Sequence, residues 1–124
     1  MNLDGATGFI SFAPPAKLLN ANDGEHWTKR APKVAEWRKA AWVAGTNTKR
    51  RWGQLGPSIV TVSLPVKGNI RRDPHNFTPT MKAIIDGLVD ARLWPDDNSD
   101  WVTTTEPELV VDGPGFVVVT IRPR

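Results

Sequence analysis

The feature that most constrains the fold is a change of hydrophobic period in the middle of the chain. Residues 58–66 (SIVTVSLPV) are β-rich, with Ile59, Val60, Val62 and Leu64 in an extended run. Residues 80–93 then place Met81, Ile84, Ile85, Leu88 and Val89 on one helical stripe and leave Lys82, Asp86 and Asp90 on another side. A strand followed by an amphipathic helix must bury one face against the other, which points to a layered α/β arrangement.

The flanking segments extend this pattern. Gly8 to Ala13 (GFISFA) is short, apolar and β-prone, and stops at Pro14-Pro15. Residues 16–29 mix Asn, Asp and Gly and read as a loop. Pro32 opens a helix-like stretch to about Ala44, with Val34, Trp37, Ala41 and Ala44 on one side, and Gly45 is expected to end it. Residues 45–57 read as a basic, Gly-containing loop, and residues 67–80 as a long connection. Thr78 is a plausible N-cap before Pro79 at the first helical position. After Trp94-Pro95-Asp96-Asp97-Asn98, two strands are expected, about Trp101 to Val111 and Phe116 to Arg122. Asp112-Gly113-Pro114-Gly115 between them gives a hairpin signal. The expected order is β-α-β-α-β-β, an α/β or α+β domain with a single mixed sheet and two main helices, spanning residues 1–124 as one domain.

Composition matters at three points. No cysteine is present among the 124 residues, which excludes disulfides, thiolate metal sites and a cysteine nucleophile. The start, MNLDGATGFISF, lacks the basic and apolar regions of a signal peptide, and no stretch approaches the ~20 apolar residues that span a bilayer. We therefore expect a soluble, intracellular protein with no membrane partner. Third, the net charge of +3 conceals an asymmetry. Residues 28–72 carry eleven Lys or Arg against Glu36 alone, whereas residues 73–112 carry nine acids against Lys82 and Arg92. A basic half suits a polyanion such as nucleic acid. Acids beside such a surface repel DNA unless a cation lies between them, the first pointer to a divalent metal. Charges that merely solvate opposite faces explain the composition equally well.

Four aspartates surround the second helix: Asp73 before it, Asp86 within it, Asp96 and Asp97 after it. If the two ends meet, they offer the carboxylate oxygens that Mg²⁺ prefers, and the ion can activate water and neutralise a phosphate during in-line displacement. Lys82 can contact the phosphate or the developing charge. Arg71 and Arg72 are placed to hold the DNA backbone. Plainer readings stand beside these. Asp96 and Asp97 can be turn formers, Lys82 and Asp86 an (i, i+4) surface pair, and the remaining acids caps. Lys49, Arg50 and Arg51 can be a solvated loop, with Trp52 beside them able to stack on a base. Trp37 and Trp94 are expected in the core or at a dimer interface.

The segments IRRDPHN (70–76), MKAIIDGLVDARLW (81–94) and PDDNSDWV (95–102) together resemble the RusA-like family of Holliday junction resolvases. That family reads as a basic run, Asp-x-Asp-Asn, a helix with a Lys and Asp-Ala-Leu, then an aromatic and Asp-Asp. FISFAPPAKLLNAN (9–22) resembles its first strand and proline pair. The resemblance implies a mixed α/β homodimer that binds four-way junctions and other branched DNA, makes paired Mg²⁺-dependent nicks, and has no small-molecule substrate. It puts Asp73 and Asp97 at the first and last metal-ligand positions, Lys82 at the catalytic lysine and Asp86 at the helix aspartate, with Asp86 expected to complete the metal site. Arg71, Arg72 and Asn76, with Lys49, Arg50 and Arg51, are the expected DNA contacts.

The chain departs from the family at two places. His75 replaces the second aspartate of Asp-x-Asp-Asn, and the stretch from Asn76 to Lys82 is longer. Histidine suits Mn²⁺ or softer ions better than Mg²⁺. His75 can bind metal, bind a metal-held water, act as a base near neutral pH or only hydrogen-bond nearby. The substitution motivates an alternative, a DNA-junction-binding homodimer that kept the fold and lost cleavage. A third reading, an RNA-binding sheet, needs stacking aromatics on a central strand, and residues 58–66 have none.

Overall fold

The computed structural model describes residues 7–22, 24–68 and 72–124. Five strands and two helices form one mixed sheet with its helices, in the order β1 (Gly8–Phe12), α1 (Trp27–Trp52), β2 (Ser58–Val66), a 3-10 turn (Pro74–Phe77), α2 (Thr78–Asp90), β3 (Val102–Thr104), β4 (Glu108–Val111) and β5 (Val117–Pro123). This is the expected single-sheet α+β architecture, with the strand expected at 101–111 divided in two. Pro107 lies in the gap between β3 and β4, where its missing N–H interrupts a ladder.

β2 is central. β5 runs antiparallel along one edge, pairing Val60 with Ile121 and Val62 with Val119. β3 and β4 run parallel along the other, pairing Ser58 with Val102 and Leu64 with Leu109. β1 pairs antiparallel with β5 and closes that side. Strand side chains alternate: Ile10, Val60, Val62, Leu64, Val119 and Ile121 are buried with Trp37, Ala41, Ile84 and Leu88 of the helices, in one core. No helix among the described residues is long and apolar enough to cross a membrane.

The expected hairpin at 112–115 is not formed. β4 and β5 lie on opposite edges of β2, and the connection crosses the end of β2, where the Asp112 N–H donates to the Val66 carbonyl at 2.9 Å. The physical reason is burial. Val117, Val119 and Ile121 are wholly buried against Trp37 and Leu88 in the one core, and β5 holds them there between β1 and β2. Pairing with the mostly exposed β4 would have left it at the sheet margin.

Helix α1 is also longer than its pattern predicts, at 26 residues. It starts at Trp27 because His26 Nδ1 accepts from the Thr28 N–H, capping a free amide. Pro32 lies within the first two turns and is absorbed. Gly45 does not end the helix, because it serves packing. A Cβ there would stand 2.9 Å from Ala91 Cβ, and one at Gly87 of α2 would stand 2.2 Å from the Arg38 carbonyl oxygen. The two glycines let the helices approach closely. Lys49, Arg50 and Arg51 are therefore the last helical turn rather than a loop, where cations favour the helix dipole. Gly53, at φ 74°, ends the helix and donates its N–H to the Lys49 carbonyl.

Helix α2 begins at Thr78, one turn after Asp73 opens the 3-10 turn. Thr78 is the first helical residue rather than the N-cap. Its hydroxyl donates to the His75 carbonyl at 2.7 Å, and the position before it is Phe77, which has no polar side chain to cap with.

Candidate functional site

The candidate site is built around α2. At its far end the chain turns through a Schellman motif. Arg92, at φ 67°, donates to the Val89 carbonyl and Leu93 to the Leu88 carbonyl. Leu93 and Trp94 then drop into the core with no exposed surface. The Trp94 indole N–H donates to Ser58 Oγ at 3.1 Å, and the Leu93 carbonyl accepts from Leu55 N–H at 2.7 Å. Pro95 to Trp101 leaves this anchor as a polar turn. Asp96 Oδ1 accepts the Asp97 N–H at 2.7 Å, and Asn98 Oδ1 accepts the Asp100 N–H at 2.9 Å. The turn-forming reading of Asp96 thus describes its contacts, and those contacts set where Asp97 stands.

Asp97 lines a pocket of about 250 Å³ between α2 and β3, together with Lys82 and Asp86. Met81, Ile85 and Val102 give it apolar walls. The structure thus gathers three of the sequence-selected residues in one concavity, Asp97 coming from eleven positions beyond Asp86 and fifteen beyond Lys82. Inside it, Lys82 Nζ reaches both oxygens of Asp86, at 3.1 and 3.3 Å. Lys82 is largely exposed and Asp86 is the more covered partner. One helical turn on, Asp90 is taken up elsewhere: it accepts from Arg38 of α1, with Nη2 to Oδ1 at 2.9 Å. That hydrogen bond, and then the guanidinium charge, hold the Asp90 carboxyl below its usual range. The same bond raises Arg38, and the charge of Asp86 adds to the effect.

The other selected residues lie elsewhere. Asp73 Oδ1 accepts the His75 N–H at 3.1 Å and so caps the 3-10 turn. Both side chains are exposed and neither lines the pocket of Asp97. Asn76 is half-buried, and its carbonyl accepts from the Ala21 N–H at 2.8 Å. Arg72 lines a different, basic pocket. Lys49, Arg50 and Arg51 stand at the end of α1. Arg71 lies outside the described residues.

The donor set suits a hard divalent cation in part. Among the described residues no three histidine or acidic side chains are grouped as a complete metal cage. Asp86 and Asp97, however, share one water-accessible pocket, and Mg²⁺ typically takes one or two protein carboxylates, keeping waters and substrate phosphate for the rest.

Two positioning residues escaped the sequence reading. Thr80, fully buried, accepts the Leu19 N–H at 2.7 Å and donates to the Leu19 carbonyl at 2.9 Å, tying the loop after Pro15 to the start of α2. Ser58 receives the Trp94 indole. A threonine in an apolar stripe is the only sequence signal for the first, and nothing in the sequence marks the second. No protein-family model matches the chain, and no curated protein matches it in sequence.

Proposed function

We propose that this chain is a divalent-metal-dependent endonuclease of branched DNA, four-way junctions in particular, acting as a homodimer. Its active centre would be the pocket between α2 and β3. The observation that carries the reading is the meeting of Lys82, Asp86 and Asp97 in one concavity; they are three of the four residues to which the RusA-like resemblance gives metal or catalytic positions, Asp73 being the fourth.

In this reading Asp97 and Asp86 hold Mg²⁺ or Mn²⁺. The ion, when bound, supplies an activated water and neutralises charge on the phosphate being cut. Asp97 projects from a turn whose base, Leu93 and Trp94, is core, so its position is set before any ligand arrives. Lys82, exposed and on a flexible stem, is free to exchange its contact with Asp86 for a phosphate oxygen and to balance the developing negative charge. Asp73 and His75 lie outside this pocket, at the 3-10 turn that runs into α2, and would have to reach the ion or the DNA from there. Two sites in a two-fold dimer suit two strands of a pseudo-symmetric junction.

The test is cleavage of an end-labelled four-way junction with Mg²⁺, Mn²⁺ or chelator, beside Asp97→Asn. Paired nicks that need metal and vanish in the variant, while binding persists, are the expected result. Absence of cleavage in both metals overturns the nuclease reading.

A second reading is a junction-binding dimer without cleavage. The Lys82–Asp86 ion pair favours it, since it already neutralises one of the two carboxylates. Tight, salt-sensitive junction binding with no nicking in either metal is its signature.

A further inference from the structure

We infer that a second pocket, at the carboxyl end of β2, seats a backbone phosphate of the DNA strand whose neighbouring phosphodiester lies at the Lys82–Asp86–Asp97 pocket. The inference rests on the nucleic-acid reading above and deepens it.

The pocket measures about 280 Å³, room for a phosphate with part of its sugar. Lys17, Lys67 and Arg72 line it with Asn20, and among the described residues no acidic side chain lines it. Leu18 and Phe77 supply apolar surface beneath the cations, which lowers the local dielectric and strengthens their pull on an anion. Asn20 adds an amide able to donate to a phosphate oxygen.

One wall is fixed before a ligand arrives. The carbonyl of Lys17 accepts from the indole N–H of buried Trp37 at 3.0 Å. Two residues on, Leu19 is held at both its N–H and its carbonyl by Thr80. Ala21 then donates to Asn76 at 2.8 Å. The segment carrying Lys17 and Asn20 is therefore stitched to both helices and to the 3-10 turn. A site whose frame is already ordered loses less entropy on binding.

The placement is informative. Phe77 lines this basic pocket and the next residue, Thr78, lines the acidic one. The two concavities thus flank the start of α2, with consecutive residues of the chain contributing to each. The acidic pocket by itself repels a polyanion, and a cationic seat beside it offsets that repulsion while fixing the register of the strand.

The experiment measures binding of a fluorescent four-way junction by anisotropy over a salt series, for the natural chain, Lys17→Gln/Lys67→Gln and Lys39→Gln. Lys39 is an exposed cation outside both pockets. The double variant is expected to bind on the order of tenfold more weakly near 0.1 M salt, with the log–log salt slope reduced by about 1, while Lys39→Gln stays close to the natural chain. In parallel, thymidine 5′-monophosphate titrated into ¹⁵N-labelled protein should shift the amides of Lys17, Leu19, Lys67 and Gly68 saturably, and not in the double variant. Unchanged affinity and slope in the double variant overturn the proposal, as does mononucleotide binding at these amides with no effect on DNA. Failure of the nuclease reading has a different signature, absent cleavage with the binding difference intact.

Discussion

The two ends of α2 are held by different physics. At the far end, Leu93 and Trp94 are fully buried. An indole removes roughly 200 Å² from water, which at ~25 cal/mol per Å² is about 5 kcal/mol of burial. At the near end buried Phe77 is joined by polar fastenings. Asp73 caps the 3-10 turn through one hydrogen bond, and Thr80 and Asn76 hold the loop of residues 16–22. Such bonds contribute about 1 kcal/mol each. Asp97 therefore stands in an exposed turn three residues after a fully buried tryptophan, and Asp73 and His75 in one anchored by the smaller Phe77 and hydrogen bonds. A catalytic or binding centre assembled from both ends would have one preformed half and one adjustable half.

The comparison breaks most visibly at the buried end. Trp94→Ala should cost about 4 kcal/mol, read as a drop in the urea midpoint followed by circular dichroism. A change below about 1 kcal/mol would mean that the segment before Asp97 is not anchored by burial. Gly87→Ala comes next. Its Cβ would meet the Arg38 carbonyl oxygen at 2.2 Å, a backbone atom that cannot rotate away, so the helices must separate. We expect a loss of about 3 kcal/mol, measured in the same way, and an alanine tolerated without loss would contradict the close approach.

How much of this was legible in the sequence depends on which end is considered. The stripe of Met81, Ile84, Ile85 and Leu88 marks α2 correctly, and the apolar residues of 58–66 mark β2, because burial imposes its period directly on the residue order. The pocket residues Lys82, Asp86 and Asp97 are singled out by the family resemblance, since their residue types and spacing alone fit a surface ion pair and a turn equally well. Gly45 was misread because a glycine that ends a helix and one that admits a neighbouring helix look alike until Ala91 and Leu88 are seen beside it. The hairpin at 112–115 failed for a related reason. Local turn chemistry was favourable, but which edge of β2 each strand joins is decided by the burial of Val117, Val119 and Ile121. Lys17 carried no local signal at all, since it joins Lys67 and Arg72 only through tertiary contacts made by Trp37 and Thr80.

The polar end yields a smaller and more local effect. Thr80→Val keeps the shape of the side chain and removes the hydroxyl, leaving the N–H and carbonyl of Leu19 without their partner. The expected cost is about 2 kcal/mol. Hydrogen exchange discriminates better than the midpoint. The amides of Leu19 and Ala21 should lose protection while those of Leu55 and Leu93, at the buried end, keep theirs. Equal loss at both sets would mean that the two ends open as one unit, and the contrast between them would fall.

The smallest expected effect is electrostatic, at the pair that joins the two helices between those ends. Arg38 holds the Asp90 carboxyl below its usual value, first by hydrogen bond and then by charge. Stability from such a depressed carboxyl is fully present above the unfolded value, about 4, and is lost as pH falls through the lower folded value. Both side chains are substantially exposed, so screening keeps the contribution under about 1 kcal/mol. Asp90→Asn should therefore lower the urea midpoint slightly at pH 7, and the gap from the natural chain should close as pH falls below about 4. A gap that persists at pH 2.5 would show that Asp90 acts through packing against α1 rather than through its charge.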